Sequence, residues 1–331
     1  MLGGKHITVI IPCFNVERSI EAVVSGIPSW IDEIVLINDA SFDNTELILK
    51  DLATSGQERI RIFSHTKNQG VGGAVMTGMH AALQNSKCDI IVKMDGDGQM
   101  NPDYLQPLLN PLLKGEADFS KGNRFHDFKA LRKMPFIRRL GNMGLSLLIK
   151  SASGYWNLLD PSNGFFTIKR ETLEALDFER LDKRFFFESS LIINLYYTGA
   201  EIKDIPIPAN YNDEQSTLSV THCLFTFPHK LIRAFFRRIA IRYFRMDFSI
   251  ISLYILLGIP LFLFGFIFGL LNWIYYASHA IAAPTGTILI ATLCIVLGVQ
   301  FILNFIQYDI SAYNPFKTDR NNVRQEKRQD S

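Results

Sequence analysis

Residues 248–308 contain no Asp, Glu, Lys or Arg, and no other feature limits the architecture so strongly. A helix that crosses a bilayer needs roughly 20 mostly apolar residues. A charge-free stretch of about 60 residues therefore holds two spans and a short connection. Asn272, Ser278, His279, Pro284, Thr285 and Gly286 interrupt the apolar run at its middle. The spans are expected near 249–273 and 286–308. Helices buried in a soluble core would usually keep a polar stripe for water, and neither segment has one.

The flanks orient this hairpin. Arg233, Arg237, Arg238, Arg242 and Arg245 precede it, and Lys317, Arg320, Arg324, Lys327 and Arg328 follow it. The connection carries no Lys or Arg. Positive charge collects on the cytoplasmic side. The expectation is a multi-pass cell-membrane protein with its domain at 1–223 and its basic tail at 311–331 both cytoplasmic, and the hairpin at 248–310. No secretory signal is expected at the start, because the apolar run at 7–11 is short and ends at Pro12. Four widely separated cysteines, Cys13, Cys88, Cys223 and Cys294, form no C-x-x-C pair. They suit a reduced chain better than a disulfide framework or a zinc site.

Between domain and hairpin, at 224–247, Leu224, Phe227, Leu231, Phe235, Ile239 and Tyr243 recur at helical spacing. His229, Arg233, Arg237 and Arg238 interleave with them. This predicts an amphipathic helix on an anionic leaflet, with its arginines toward lipid phosphates. An ordinary surface helix is the alternative.

The first 120 residues alternate between strand-like and helix-like segments. Short runs rich in Ile and Val at 7–11, 33–38, 61–64 and 89–94 read as strands. Segments 17–27, 44–53 and 71–84 read as helices. Such alternation predicts a mostly parallel, Rossmann-like sheet covered on both faces, with ligands at the carboxyl ends of the strands. Residues 12–15, 38–39 and 95–99 fall there. There is no G-x-x-x-x-G-K-[ST], so a P-loop enzyme is excluded. Gly70, Gly72 and Gly73 do not complete G-x-G-x-x-G, since Val75 holds the last position. That argues against a dehydrogenase.

Asp95-Gly96-Asp97-Gly98-Gln99 follows the apolar run Ile90-Ile91-Val92. Two carboxylates one residue apart can share a hard divalent cation such as Mg²⁺ or Mn²⁺. An acidic turn would look the same in isolation.

Jointly the motifs resemble family 2 glycosyltransferases. Val9-Ile10-Ile11-Pro12-Cys13-Phe14-Asn15 resembles the family's opening, and Asn38-Asp39-Ala40-Ser41-Phe42-Asp43-Asn44-Thr45 its D-D-G-S-x-D-x-T. Asn68-Gln69-Gly70 resembles N-x-G, and the acidic motif resembles D-x-D-x-Q. Gly122-Asn123-Arg124 resembles G-S-R, and Asp160-Pro161-Ser162-Asn163-Gly164-Phe165 resembles D-x-x-S-G-F. The subgroup acting on polyprenyl phosphates, similar to dolichol-phosphate mannose synthase, fits best. The resemblance covers about residues 5–215.

It implies a GT-A fold and inverting transfer of one sugar from a UDP- or GDP-linked donor to a polyprenyl phosphate. It places Pro12, Phe14, Asn15, Glu17, Asp39, Asn68, Asp95 and Gly96 at the nucleotide sugar, and Asp95, Asp97 and Gln99 at Mg²⁺ or Mn²⁺. Asp97, Arg124 and Glu188 would be catalytic, and Arg124, Arg138, Ser162 and Ser216 would face the acceptor phosphate. Arg124 also reads as a surface ion pair, and Glu188 as a helix-end residue. The family's N-E is here Asn15-Val16 with Glu17 one place later, and Asn38 and Ala40 replace Asp and Gly. Residues 211–218 lack the Arg and Lys of R-x-x-G-x-S-K. The expected partners are a nucleotide sugar, a lipid phosphate and the membrane, with no nucleic acid; homo-oligomerisation stays open. A polysaccharide acceptor, another lipid, or a non-catalytic scaffold are the rival readings. Q-x-x-R-W, expected of a polymer synthase, is absent.

Overall fold

The computed structural model describes residues 1–54, 58–126, 136–208 and 220–311. Chain contacts divide the described residues into two units, one from Met1 to Ala234 and one from Phe235 to Ser311.

The first unit opens with β1 (His6–Cys13), α1 (Ile20–Ser25), β2 (Glu33–Asn38), α2 (Thr45–Thr54), β3 (Ile60–Ser64), α3 (Val71–Gln84) and β4 (Cys88–Lys93). The four strands are parallel, as their alternation with helices predicts. Ile7, Val9, Ile10 and Ile11 are all fully buried, because helices cover both faces and leave no side for polar residues. Ile10, Val35, Ile37 and Ile91 enter one apolar layer; Ile7, Val9, Ile34, Leu36 and Val92 enter the other. Each such side chain contributes about 1.5–3 kcal/mol on burial. α1 begins later than expected. The backbone N–H groups of Val16 and Glu17 bond the side chains of Thr45 and Asp43 instead of starting a helix.

The chain continues through α4 (Leu105–Leu113), β5 (Phe119–Asn123), α5 (Phe136–Ser153), β6 (Phe166–Lys169), α6 (Arg170–Glu174), α7 (Phe187–Tyr197) and β7 (Ile202–Pro206). The completed sheet has seven strands in the order β3-β2-β1-β4-β6-β5-β7. β6 is antiparallel to both neighbours. Its Phe166 therefore pairs with Lys93 on one side and Lys121 on the other. Directly opposed residues share a face of a sheet, so two lysines flank one buried phenylalanine. The mixed, mostly parallel sheet with helices on both faces is GT-A-like.

α8 (Val220–Ala240) contains the boundary between the units. Its first part belongs to the first unit: Phe227 packs edge-on against Phe186, and Lys230 pairs with Asp182. The helix then widens into a π-helical turn, Ile241–Met246.

The second unit holds α9 (Ile250–Ser278) and α10 (Thr285–Ser311). Both are long and apolar enough to cross a membrane, and both run a few residues past the expected C-terminal ends. Large apolar side chains such as Leu256, Phe264, Leu289 and Leu303 face outward. An exposed apolar surface of this extent suits lipid rather than water. Small residues bring the two helices together. A Cβ on Gly265 would lie 2.8 Å from Ile295 N, and one on Gly298 would lie 2.5 Å from Phe262 N.

One expectation for the juxtamembrane helix needs correction. Arg233 and Arg237 are exposed, as expected of phosphate-facing residues. Arg238 is not. Only 1% exposed, it donates to both oxygens of Asp309 at 2.8 and 2.7 Å, and Tyr243 Oη donates to the same carboxylate at 2.7 Å. An Asp just beyond the apolar stretch claims it, a pairing of distant residues that helical spacing cannot reveal.

Candidate active site

The carboxyl ends of β1 and β2 are joined by reciprocal bonds. Asn15 N donates to Ser41 Oγ, and Phe42 N donates to Asn15 Oδ1. Glu17 Oε2 accepts from both the backbone and the side chain of Asn44. Asn15 and Ala40 both have positive φ, 54° and 57°. Asn tolerates this region, and Ala does so at a cost. On the lip of these loops Phe14 and Phe42 meet edge to face at 5.7 Å, 42% and 84% exposed. An open aromatic pair of this kind offers a surface on which a planar base can stack.

Asp39 is buried at the end of β2. Its carboxylate accepts from Gln69 N and Gly70 N at 2.8 Å, and it shares a 2.7 Å hydrogen bond with His65 Nδ1. His65 Nε2 in turn reaches Thr77 Oγ1. Asn68 Nδ2 donates to the Asp39 carbonyl. Asp39 and Asn68 thus hold the turn that leads into α3. The start of that helix is covered, with Gly73 N donating to Lys183 O at 2.8 Å.

The acidic motif projects from the end of β4. Ser19 Oγ donates to Gly96 O at 2.7 Å, and a Cβ on Gly96 would lie 3.3 Å from Pro12 O. This packs the motif against the first loop. Asp97 Oδ1 accepts from Gln99 N at 3.0 Å, and Gly98 takes φ +78°. Asp95 and Asp97 remain partly open to solvent, and Gln99 is exposed.

Beneath Asp95 lies a residue that the sequence reading did not single out. Lys93 is 1% exposed, and its Nζ sits 2.6 Å from Asp95 Oδ1 and 3.8 Å from Glu188 Oε1. Burial pulls the pKa of this ammonium down, but Asp95 and Glu188 outweigh burial and hold it above the usual lysine range. Glu188, in the first turn of α7, is pushed above the ordinary carboxylate range, chiefly by burial. Gly164 roofs the group. A Cβ there would come within 2.5 Å of Lys93 Nζ and 3.2 Å of Glu188 Oε1.

Arg124 leaves β5 beside a second charged group. Its Nε donates to Asp160 Oδ2 at 2.8 Å and its second terminal nitrogen to Oδ1 at 3.2 Å. Asp160 is fully buried, and Ser162 Oγ also donates to it. Burial would raise the Asp160 carboxyl, but the charges of Arg124 and Lys121 and the bonds from Arg124 bring it below its ordinary value. Lys121 is buried with no hydrogen-bond partner for Nζ among the described residues. Burial lowers its pKa against the pull of Asp160 and Asp204. Arg124, Gln99, Tyr104, Asn163 and Phe165 line one small cleft.

The structure therefore brings Asp95 and Glu188 together through Lys93, and Arg124 and Ser162 together through Asp160. Asn15, Glu17, Asp39 and Asn68 sit in the loops at the ends of β1 to β3, bonded mainly to one another's loops. Ser216, residues 211–218 and the side chain of Arg138 lie outside the described residues. Charged residues inside apolar runs were the missed signal: Lys93 closes Ile90-Ile91-Val92, and Lys121 follows Phe119-Ser120.

Among the described residues no group of three or more His, Cys, Asp or Glu side chains is arranged to hold a metal ion. The donor chemistry of Asp95, Asp97 and Gln99, all oxygen, nonetheless fits Mg²⁺ or Mn²⁺ held by few protein ligands together with substrate phosphates. Cys13 does not compete for such a site, since burial pushes its thiol up to about 12.

The chain is 29% identical over 224 residues to a UDP-N-acetylglucosamine–dolichyl-phosphate N-acetylglucosaminyltransferase of Methanococcus voltae, covering 64% of this chain and 88% of that protein. It is 28% identical to the polyprenol monophosphomannose synthase of Mycolicibacterium smegmatis, over 60% of this chain and 75% of that one. It is 26% identical to the undecaprenyl-phosphate mannosyltransferase of Micrococcus luteus, over 61% and 82%. Residues 8–177 match the glycosyl transferase family 2 profile. The chain belongs to glycosyl transferase family 2.

Proposed function

We propose that this protein transfers one sugar from a nucleoside diphosphate sugar to a polyprenyl phosphate at the cytoplasmic membrane face, with inversion. The observation that carries the reading is the convergence of Asp95, Lys93 and Glu188 at the carboxyl edge of the sheet, under Gly164. Relatives whose names specify dolichyl, polyprenol and undecaprenyl phosphates support the acceptor class. The two apolar helices that follow the catalytic unit in the chain support a membrane substrate.

In this reading Phe14 and Phe42 stack on the base, which is uracil or guanine. Asp95, Asp97 and Gln99 would hold Mg²⁺ or Mn²⁺, which when bound neutralises charge on the donor diphosphate. Arg124, oriented by Asp160, faces phosphate oxygens with its open side, and Ser162 steadies that carboxylate. Charge-assisted bidentate pairs of this sort fix guanidinium geometry. Glu188 lies beside the sugar. Asp39, with Asn68, shapes the nucleotide pocket by holding the turn before α3. The acceptor is a phosphate monoester, whose second pKa is about 6, so it is largely a dianion at neutral pH. It attacks C1 from the face opposite the leaving diphosphate and needs no strong protein base. Arg138 and Ser216 complete the acceptor side.

The test uses the purified full-length chain in detergent, incubated with a panel of UDP- and GDP-linked sugars and Mn²⁺ or Mg²⁺. A rise in melting temperature with one class of donor is expected, together with transfer to polyprenyl phosphate that stops in EDTA. Binding without transfer would favour a non-catalytic scaffold, and full turnover in chelator would remove the metal from the account.

A further inference from the structure

Lys93 stands at the centre of the convergence described above, but that reading gives it no task of its own, and its burial needs a reason. The position belongs to an apolar layer, following Ile91 on the same face of β4 and opposite Phe166 of β6. Methionine or leucine would fit such a place. A buried ammonium costs several kcal/mol of lost hydration unless charged partners repay it. Its partners here are two carboxylates on different elements, Asp95 in the loop after β4 and Glu188 on α7. A Cβ at 164 would lie 2.5 Å from Nζ, so glycine there leaves room for the ammonium where it stands.

We propose that Lys93 is a positioning residue for the sugar-transfer site. It fixes the Asp95 carboxylate by holding Oδ1, which leaves Oδ2 and Asp97 directed at the donor diphosphate and its cation. By standing between Asp95 and Glu188, it also lets two carboxylates share one small site. Without it Asp95 would lose its nearest cation and Glu188 would lose a charge that opposes the effect of its burial. The role differs from that of Lys121, which flanks Phe166 from the other side but whose Nζ makes no hydrogen bond among the described residues. Lys93 is tied to the acidic motif by contact, and Lys121 only through the field of its neighbours.

This inference rests on the transfer reading for its catalytic part, but its geometry is testable without turnover. The first measurement is a thermal double-mutant cycle in the full-length protein, using Lys93→Met, Glu188→Gln and the pair. Lys93→Met alone is expected to lower the melting temperature by several degrees. In the Glu188→Gln background the same change should cost measurably less, because one of the two carboxylates it leaves unpaired is gone. Equal costs in both backgrounds would overturn the arrangement, whatever the enzyme transfers.

The second measurement is Mn²⁺ affinity in the presence of saturating UDP or GDP, read from the electron paramagnetic resonance signal of free Mn²⁺. Groups that orient a metal ligand typically account for about 10–100-fold in affinity or activity. Lys93→Met should weaken Mn²⁺ binding roughly 10-fold, even though it removes a positive charge. At saturating Mn²⁺ its kcat should fall by a similar factor, while KM for the nucleotide sugar changes less than about threefold. Unchanged or tighter Mn²⁺ binding by a folded Lys93→Met protein would refute the positioning role. A wild-type protein that binds Mn²⁺ and nucleotide but transfers nothing would instead refute the proposed function and leave the role of Lys93 to the cycle.

Discussion

Arg238 and Asp309, 71 residues apart in sequence, form a bidentate ion pair in which both side chains are almost fully buried. Tyr243 adds a third bond to the same carboxylate. Phe305 packs against the Tyr243 ring at 5.3 Å, and both belong to a small apolar cluster with Ile239 and Ile251. The pair ties the end of the juxtamembrane helix to the end of α10. Breaking a buried pair from one side typically costs about 3–5 kcal/mol. Asp309→Asn should therefore lower the melting temperature of the detergent-solubilised protein clearly. Arg238→Met combined with Asp309→Leu should recover much of the loss. An unchanged melting temperature in Asp309→Asn would contradict the buried pairing.

The Arg124–Asp160 pair has a pH signature. The folded carboxyl of Asp160 titrates below its ordinary value. Its stabilising contribution is therefore complete above the unfolded value, near pH 4, and is lost as pH falls through the lower folded value. Asp160→Asn should lower the melting temperature at pH 7, and the gap to wild type should shrink toward pH 3. The variant should also lose transfer activity by about 10-fold or more, because Arg124 is no longer oriented. A gap that stays constant from pH 7 to pH 3 would count against the charged pair.

Ala40 offers a stabilising change. It holds φ +57° without the freedom of glycine, a conformation that costs an L-residue about 1 kcal/mol. Ala40→Gly should raise the melting temperature slightly, the relief of strain exceeding the extra entropy of the unfolded chain. Asn15→Ala should act oppositely, since it loses both a tolerant residue and the bond from Phe42 N. A lower melting temperature for Ala40→Gly would show that the loop is not strained there.

Topology follows from charge. With positive residues at both flanks and none between the spans, Ser278 and the tail should lie on opposite sides of the membrane. Cysteines introduced at Ser278 and Ser331 should react with a membrane-impermeant reagent from opposite faces. Reaction of both from the same side would contradict the hairpin.

Much of this molecule is legible in its sequence, for identifiable reasons. β2 and α3 begin and end where periodicity places them, because apolar strands and small-residue helices carry their own signals. The two long apolar helices are legible because each runs without charge for about the length a bilayer requires. β5, β6 and β7 are not. They are short, and polar residues interrupt their apolar pattern: Ser120 and Thr167 bond each other within the core, and Lys121 is buried in β5. The site is legible as motifs but not as contacts. Asp95 and Arg124 announce themselves, whereas Lys93 under Asp95, Asp160 behind Arg124 and Asp309 beside Arg238 depend on how distant segments meet. Asp39 illustrates the same limit: its motif suggests a ligand contact, and the fold spends its carboxylate on Gln69, Gly70 and His65.

The central claim is that the acceptor is a lipid phosphate and that one sugar is added. Its most direct test gives the purified protein a radiolabelled nucleotide sugar with either polyprenyl phosphate or the corresponding free polyprenol, and follows label into the organic phase. The account predicts an acid-labile lipid carrying a single sugar, formed with the phosphate and absent with the alcohol. Equal transfer to the alcohol, or a ladder of longer glycans, would contradict it.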